Sequence, residues 1–274
     1  VPLAVVEGGD SDGQPILFVH GFSFSSHAWT YQLSDESLRN YRLVGFDLRG
    51  HGASGKPWTD ESYAGWSPWA EDIKRIIDAK GLTSPVLVGW SMGGLMIMSF
   101  VREDGFEDVG GIVLVGTTAG LNYTNSAPTA STEFDDAALR KQMSLDIREN
   151  VEGSRAFVRW ITAQPMSGDD EEIFLKSTLQ LPVYVKQAMR NMHRDNTDLV
   201  SVLRRPLLFI AGDKDSSAPP NDIERLVGQL PSARFSLFRD VGHAPFLEES
   251  KRFNAELIQF VDEVAAEERA SGSN

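Results

Sequence analysis

The chain contains no cysteine among its 274 residues, and this absence excludes several kinds of chemistry at once. Disulfide frameworks, thiol nucleophiles and zinc–thiolate sites all require cysteine. The sequence also lacks an apolar run near the ~20 residues that a membrane-spanning helix needs. It has no dinucleotide fingerprint, no Walker-type loop and no H-E-x-x-H element, so we expect neither a cofactor nor a bound metal.

Positive charge is scarce as well, because 39 acidic side chains outnumber 26 basic ones and give a formal net charge of −13. Nucleic acids and anionic membrane surfaces attract clustered Lys and Arg, so neither is expected as a partner. With 41% hydrophobic and 24% charged residues, the composition is that of a globular protein with a sizeable core. The chain opens at Val1 without a secretory signal pattern. We therefore expect a soluble protein, cytoplasmic rather than secreted, and leave open its oligomeric state and any presequence before Val1.

Short apolar runs alternate with longer amphipathic stretches along most of the chain. Runs of about five or six residues, rich in Val, Ile, Leu and Phe, suit strands that are covered on both faces. The runs are Ile16–His20, Arg42–Asp47, Pro85–Trp90, Gly111–Gly116, Leu207–Ala211 and Arg234–Phe238. The alternation predicts an α/β fold, with a mostly parallel central sheet flanked by helices.

One interval of about 90 residues, between Gly116 and Leu207, contains no strand-like run and is too long for an ordinary loop. Four segments of it have helical character: Leu139–Ile147, Arg155–Ile161, Ile173–Leu181 and Val183–Met192. The sequence therefore predicts a helical cap at residues 119–205, inserted into a core made of residues 1–118 and 206–274. We expect the last ten residues of the chain to be frayed.

The strongest local motif is the Gly-Trp-Ser-Met-Gly-Gly run at 89–94, which directly follows one of the predicted strands. A serine at a strand-to-helix turn has a strained backbone, and side chains larger than glycine would clash beside it. Such a turn holds the hydroxyl clear of the sheet, which favours Ser91 as a nucleophile. The alternative is a turn of small residues that only packs a helix on a strand.

A serine nucleophile needs a base, and the base needs an acid that fixes its tautomer. His243 comes just after the last apolar run, where a loop leaves the sheet edge that carries Ser91, so we prefer it as the base. Asp213 and Asp215 both follow the preceding run. We prefer Asp215, because the residue nearer the strand end is more readily used in turn hydrogen bonds. The chain order Ser91, Asp215, His243 is that of a nucleophile-elbow hydrolase.

Two backbone N–H groups are candidates for an oxyanion hole. Met92 directly follows the nucleophile, and Phe22 lies in the loop after the first apolar run. Because the backbone would supply both donors, the two side chains are free to line an acyl pocket. Together with Trp90, Trp160 and Met189 they form the predicted substrate pocket, and plain core packing is the alternative for each.

Other polar residues are interpreted as structural. His20 and His51 are expected to organise loops, since a lone histidine is more often structural than catalytic. Glu248 and Glu249 are read as charges at the start of the last helix, favoured by its dipole. The acidic run Asp169–Glu172 is interpreted as a solvated helix start and not as a metal site, because no histidine is near it in sequence.

Five short elements now combine: His20-Gly21, the run at 47–54, the run at 89–94, Gly212–Asp215 and the Gly-His-Ala-Pro-Phe run at 242–246. Together they resemble the α/β-hydrolase superfamily, over a stretch from about residue 15 to residue 264. The resemblance implies an α/β-hydrolase fold in which the serine, second aspartate and histidine of these elements are catalytic. Dehalogenases and epoxide hydrolases of this fold use an aspartate nucleophile, and Ser91 argues against both.

We therefore expect a carboxylic-ester hydrolase (EC 3.1.1 type) whose substrates are small to medium apolar acyl esters. The Ser-rich loop after Phe22 and the Gly-His-Ala-Pro-Phe element are also similar to N-acyl homoserine lactonases, so a lactonase is the first alternative. A cofactor-free perhydrolase is the second, although such enzymes usually carry proline where this chain has Ser23. The non-enzyme alternative is a small-ligand receptor on the same fold, which the complete candidate triad disfavours.

Overall fold

A computed structural model describes residues 1–122 and 136–271 of the chain. Its strands are β1 Val5–Gly9, β2 Pro15–Val19, β3 Arg42–Phe46, β4 Val86–Trp90, β5 Gly111–Val115, β6 Leu207–Gly212 and β7 Ala233–Phe238. They form one seven-stranded sheet in the order β1-β3-β2-β4-β5-β6-β7. Only β1 is antiparallel to its neighbour, so the prediction of a mostly parallel sheet is confirmed. Each of the six apolar runs matches its strand, β2 to β7, to within one residue at either end.

Helices cover both faces of this sheet. They are α1 Thr30–Leu33, α2 Ser67–Lys80, α3 Met92–Asp104, α4 Asp136–Gln142, α5 Ile147–Trp160, α6 Gly168–Gln180, α7 Val183–Ala188, α8 Pro220–Val227, α9 Pro245–Glu248 and α10 Ser250–Ser271. Alternate residues of β2 enter two separate buried clusters, with Leu17 in one and Phe18 in the other. Because side chains alternate across a strand, these clusters are the cores on the two faces. None of the helices in the described part of the chain is both long and apolar enough to cross a membrane.

Helices α4 to α7 occupy the interval between β5 and β6, where the sequence predicts helices and no strand. Two predicted boundaries are wrong: Leu139–Ile147 crosses the break between α4 and α5, and α5 begins at Ile147 instead of Arg155. The cause is a local cap, since the Asp146 carboxylate accepts the N–H of Arg148 at 2.8 Å and starts a new helix there. The division into a core and a cap at residues 119–205 remains a proposal.

The C-terminal helix also differs from expectation. Helix α10 continues to Ser271, so the prediction of a frayed end is wrong for residues 265–271, while residues 272–274 lie outside the described part of the chain. Its apolar positions Phe253, Leu257 and Phe260 are buried against the sheet. This packing stabilises the helix well beyond what its charged and small C-terminal residues suggest.

A buried ion pair joins the loop after β3 to helix α2. Arg49 donates to Asp72 through Nε at 2.6 Å and through Nη2 at 2.7 Å, in a two-point geometry. The side chains are only 5% and 0% exposed. The remaining guanidinium nitrogen, Nη1, donates to the Ser62 carbonyl at 2.9 Å. Removal of the carboxylate would leave the buried charge with only Glu71 as a partner, a half-exposed acid whose Oε2 lies 3.8 Å from Nη2.

Replacing Asp72 by alanine is therefore expected to lower the free energy of unfolding by about 3–5 kcal/mol. Asp78→Ala, on the same helix, removes an exposed pair with Lys74 at 2.8 Å and should cost less than about 1 kcal/mol. Urea unfolding followed by circular dichroism measures both values. An equal decrease in the free energy of unfolding in the two variants would show that the buried pair stabilises the fold no more than the exposed one.

Candidate active site

Ser91 occupies the turn between the end of β4 and the start of α3. Its backbone has φ 53° and ψ −118°, a positive φ that residues with a side chain seldom adopt. The Ser91 N–H donates to the Val115 carbonyl at 2.8 Å, and the Gly94 N–H donates to the Ser91 carbonyl at 3.0 Å. These bonds to β5 and within α3 hold the strained turn, and the residue stays partly exposed.

The glycines on either side are required by close backbone approach. A Cβ at Gly89 would lie 2.8 Å from the Gly94 backbone nitrogen, and a Cβ at Gly93 would lie 2.2 Å from the Val19 carbonyl oxygen. Either distance is far below van der Waals contact. The glycines at 89 and 93 are thus needed for the turn at Ser91 to pack closely against β2, β4 and α3.

His243 lies in the loop between β7 and α9 and is bonded to Asp215, in the loop after β6. The distance between His243 Nδ1 and Asp215 Oδ2 is 2.8 Å, and both residues are about 95% buried. A carboxylate only accepts, so Nδ1 carries the proton and Nε2 is left with its lone pair. Asp215 Oδ1 in turn accepts the N–H groups of Ser217 at 2.8 Å and Ala218 at 3.0 Å. The imidazole is therefore oriented and poised to accept a proton at Nε2.

Asp213, the other acid of this loop, faces elsewhere. Its Oδ1 accepts the backbone N–H of Asp240 at 2.7 Å and so braces the turn that leads out of β7. Of the two aspartates after β6, Asp215 is the one in contact with the histidine.

The backbone around His243 is tied on several sides. Trp90 Nε1 donates to the His243 carbonyl at 2.8 Å, and the His243 N–H donates to the Ile161 carbonyl at 2.8 Å. Glu248 then bridges two segments, since Oε1 accepts the Gly242 N–H at 2.7 Å and Oε2 accepts the Ala163 N–H at 2.7 Å. The histidine loop is thereby fastened both to β4 and to the segment that follows α5.

The interpretation of Glu248 as a helix-dipole charge is wrong. The residue ends the short helix α9, ahead of α10, and its largely buried carboxylate accepts N–H groups from two loops. Burial raises the pKa of Glu248 above its ordinary value, and these N–H groups oppose the rise without cancelling it. The sequence feature that could have indicated this role is an acidic residue directly after the apolar segment 244–247, which follows His243.

Replacing Glu248 by glutamine is expected to lower kcat about 10-fold or more, because an amide nitrogen would face one of the two N–H donors and loosen the histidine loop. The neighbouring Glu249→Gln, at an exposed position, is the matched control and should stay within twofold. Steady-state kinetics separate this effect from a general loss of fold, since kcat should fall more than KM rises. If both variants match the wild type, Glu248 has no positioning role.

A cavity of about 630 Å³ opens beside these groups, and both Ser91 and His243 line it. All five residues of the predicted substrate pocket are among its walls: Phe22, Trp90, Met92, Trp160 and Met189. The rings of Trp90 and Trp160 lie 5.7 Å and 5.9 Å from the His243 ring, centroid to centroid. The structure thus brings the predicted nucleophile, base and pocket residues to one concave site. Sequence reasoning missed Lys186, which also lines it.

The backbone N–H groups of Met92 and Phe22 have no hydrogen-bond acceptor among the described residues. Met92 begins α3, so its N–H has no partner within that helix, and the helix N-terminus adds a partial positive charge. No described residue accepts the Phe22 N–H. Both residues line the cavity that also contains Ser91. These two N–H groups are the oxyanion-hole candidates that the sequence suggests.

His20 and His51 organise loops, as the sequence predicts. His20 is fully buried, accepts the Leu48 N–H at Nε2 (3.0 Å) and donates from Nδ1 to the Gly21 carbonyl at 2.8 Å. Burial lowers the pKa of His20, and it lowers the pKa of His51 to about 3. Both rings are thus neutral near pH 7, and His20 fixes the loop that leads to Phe22.

The acidic run Asp169–Glu172 begins helix α6. Ser167 caps this helix by accepting the Asp170 N–H, and Glu171 forms ion pairs with Arg155 at 2.7 Å and Arg159 at 3.0 Å. The run has a structural explanation as a helix start, as predicted. Within residues 1–122 and 136–271, no three His, Asp or Glu side chains are grouped so as to hold a metal ion.

Comparison with known proteins gives consistent results over nearly the whole chain. Residues 16–256 match the Alpha/beta hydrolase family. A Burkholderia cenocepacia protein for which aryl esterase activity has been suggested superposes with a TM-score of 0.87 at 34% identity, over 96% of this chain and 95% of that one. The esterase RhEst1 from Rhodococcus sp. ECU1013 gives 0.84 at 28% identity, over 96% and 95%. A non-heme haloperoxidase of Rhodococcus erythropolis is 26% identical over 91% of this chain and 93% of its own length.

Proposed function

Since the chain belongs to the alpha/beta hydrolase family, we propose that it is a carboxylic-ester hydrolase acting through Ser91, His243 and Asp215. Family and relatives support a hydrolase in general. The observation that carries the finer proposal is the 2.8 Å hydrogen bond from His243 to a buried Asp215, on a cavity that Ser91 also lines. A structural histidine would have no need of an oriented carboxylate and a free Nε2 at a cavity wall.

In the acylation step, Ser91 Oγ attacks the acyl carbon while His243 Nε2 takes its proton. Asp215 keeps the other ring nitrogen protonated and stabilises the imidazolium that forms. The Met92 and Phe22 N–H groups stabilise the oxyanion of the tetrahedral intermediate, and each such donor is worth about 3–4 kcal/mol in the transition state. His243 then gives its proton to the leaving alcohol, and an acyl-enzyme ester on Ser91 remains.

Water completes the cycle by the same route. His243 takes a proton from a water molecule that attacks the acyl carbon, and the oxyanion forms again between the same donors. Collapse of this intermediate returns the proton to Ser91 and releases the acid. The net reaction consumes one ester and one water and yields one carboxylic acid and one alcohol.

The cavity favours small to medium acyl groups with an apolar body. Its volume of about 630 Å³ is in the range of small-molecule sites, and aromatic side chains form much of its wall. Phe157 and Trp160 stack 6.0 Å apart, and Phe157 also meets Phe22 edge to face at 6.2 Å. We propose that residues 119–205 act as a cap that contributes Phe157, Trp160 and Met189 to this wall.

The haloperoxidase relative is the observation that favours a perhydrolase as a second candidate. One feature of this chain weighs against it, because Ser23 has φ 66°. Proline is locked near φ −65°, so the proline usual in such enzymes does not fit this loop conformation. A lactonase would use the same groups on a cyclic ester, and it stays an alternative for experiment to decide.

Proton release in a pH-stat tests the proposal directly. Linear esters of short and medium acyl chains are offered beside acyl homoserine lactones, since both reactions liberate acid. We expect turnover mainly on linear esters. A strong preference for lactones would replace the proposal by a lactonase. Halide oxidation in the presence of peroxide and a carboxylic acid, without ester hydrolysis, would replace it by a perhydrolase. If the folded protein turned over none of these substrates, the alternative of a small-ligand receptor on the same fold would be favoured.

A further inference from the structure

The charged residues around the cavity are mostly cationic, in contrast to the protein as a whole. The chain has a net charge of −13, yet the described residues that line the cavity include Lys186, Arg190 and Arg194 against a single acid, Asp222. Asp222 is already ion-paired with Arg225, outside the lining. Among the described residues, Lys186 and Arg190 therefore leave positive charge at the cavity wall without a carboxylate in contact.

Lys186 is the deepest of these cations, being 1% exposed, whereas Arg190 and Arg194 are exposed. In the described part of the chain, its Nζ has one hydrogen-bond partner, the Gln142 carbonyl at 3.2 Å, and no carboxylate in contact. An ammonium group carries three donors, so a single carbonyl leaves both its charge and most of its hydrogen-bonding capacity uncompensated. A buried charge of this kind is costly unless a partner of opposite charge is present for part of the time.

A purely structural role does not require this charge. The Gln142 carbonyl, at the end of α4, already accepts the neutral Asn150 amide at 2.7 Å. The cavity-lining residues near it in α4, and just after α4 and α7, are the apolar Leu139, Met143 and Met189. Burial lowers the pKa of Lys186 to about 8, so near pH 7 the group is still mainly charged.

We propose that the substrate carries a carboxylate besides its ester, and that Lys186 binds this carboxylate in the wall formed by α4 and α7. This inference rests on the proposed ester hydrolysis at Ser91. One buried ammonium balances one negative charge, which fits a carboxylate. The substrate class is then the hemiester of a dicarboxylic acid, with an apolar segment along the aromatic wall, the ester at Ser91 and the free carboxylate at Lys186. Arg190, exposed at the same cavity, would favour the approach of such an anion.

The test compares hemiesters with neutral esters of the same length. Monomethyl succinate, glutarate, adipate and pimelate are assayed at pH 7 against the methyl esters of butyric, valeric, caproic and enanthic acids. We expect kcat/KM to favour the hemiester by about 10- to 100-fold at one preferred length, because a hydrogen bond to a charged group contributes about 1.5–3 kcal/mol. Lys186→Met should remove this preference. Lys176→Met, which removes a cation that is 67% exposed on α6, is the matched control and should keep it.

A second measurement needs no variant of Lys186. The hemiamide of the preferred dicarboxylic acid should inhibit neutral-ester hydrolysis by the wild type at least 10-fold more strongly than the neutral diamide. Equal inhibition by the two amides, or a hemiester preference that survives in Lys186→Met, would overturn the inference. Turnover of neutral esters without any hemiester preference would also overturn it, while leaving the ester hydrolase intact. Silence on both series would instead count against the proposed function itself.

Discussion

Replacing Ser91 by alanine should lower kcat for ester hydrolysis by about 10⁶-fold, the scale found when a serine nucleophile is removed from a triad. The residual rate comes from substrate binding and the backbone donors alone. The fold should be retained, because alanine meets the same positive φ as serine and the turn is held by the backbone bonds to Val115 and from Gly94. A pH-stat assay gives kcat, and urea unfolding gives the stability of the same preparation.

Ser99→Ala is the matched control for this variant. Ser99 lies in the helix that follows the serine turn, and its hydroxyl donates to the Leu95 carbonyl at 3.0 Å within that helix. Its replacement should leave kcat within about twofold of the wild type. If Ser91→Ala retained more than a tenth of the activity, another nucleophile would have to be sought and the triad would be wrong.

Asp215→Asn is expected to lower kcat by about 10⁴-fold. Asparagine has one carbonyl oxygen, and the N–H groups of Ser217 and Ala218, which now bond to Oδ1, would attract it. Its NH₂ group would then face His243 Nδ1, which must accept instead of donate. The ring proton would move to Nε2, where no lone pair remains to take the serine proton. The loss should appear in kcat, with KM changed little.

Asp213→Asn distinguishes the two acids of this loop. The residue accepts the Asp240 N–H at 2.7 Å, and an asparagine oxygen preserves that bond, so we expect kcat within a few-fold of the wild type. Steady-state kinetics on one ester compare the two variants directly. A crippled Asp213→Asn beside a nearly silent Asp215→Asn would reverse the assignment of the acid.

Most strands and the turn at Ser91 could be predicted from the sequence, because burial of a strand and clearance in a turn each require particular residues at neighbouring positions. Strands β2 to β6 are covered on both faces, so each needs a continuous apolar run, and each run was visible. The edge strand β7 is only partly buried, although its run was visible as well. Strand β1 is a partly exposed edge strand, and its residues Val5–Gly9 carry no such run. The motif around Ser91 was equally readable, since the glycines at 89 and 93 are imposed by backbone clearances of under 3 Å.

Positions after strand ends were predictable for a topological reason. Parallel strands bring their C-terminal ends to one edge of the sheet, so residues in the loops after β4, β6 and β7 come together. Spacing alone therefore suggested Ser91, Asp215 and His243 as neighbours. Their proposed roles await the variants described above.

Other features depended on contacts between segments far apart in the chain. Glu248 reads as a helix-start charge until the fold brings Ala163 within 2.7 Å of its carboxylate, 85 residues away. Lys186 has no local sequence signal of burial, yet the fold leaves it 1% exposed with its Nζ 3.2 Å from the Gln142 carbonyl at the end of α4. The sequence by itself determined strands β2 to β7, the serine turn and the loops that meet, because apolar runs and turn clearances leave local patterns. Burial of a charge and the partner of a carboxylate depend on packing between distant segments, and only the tertiary structure decided them.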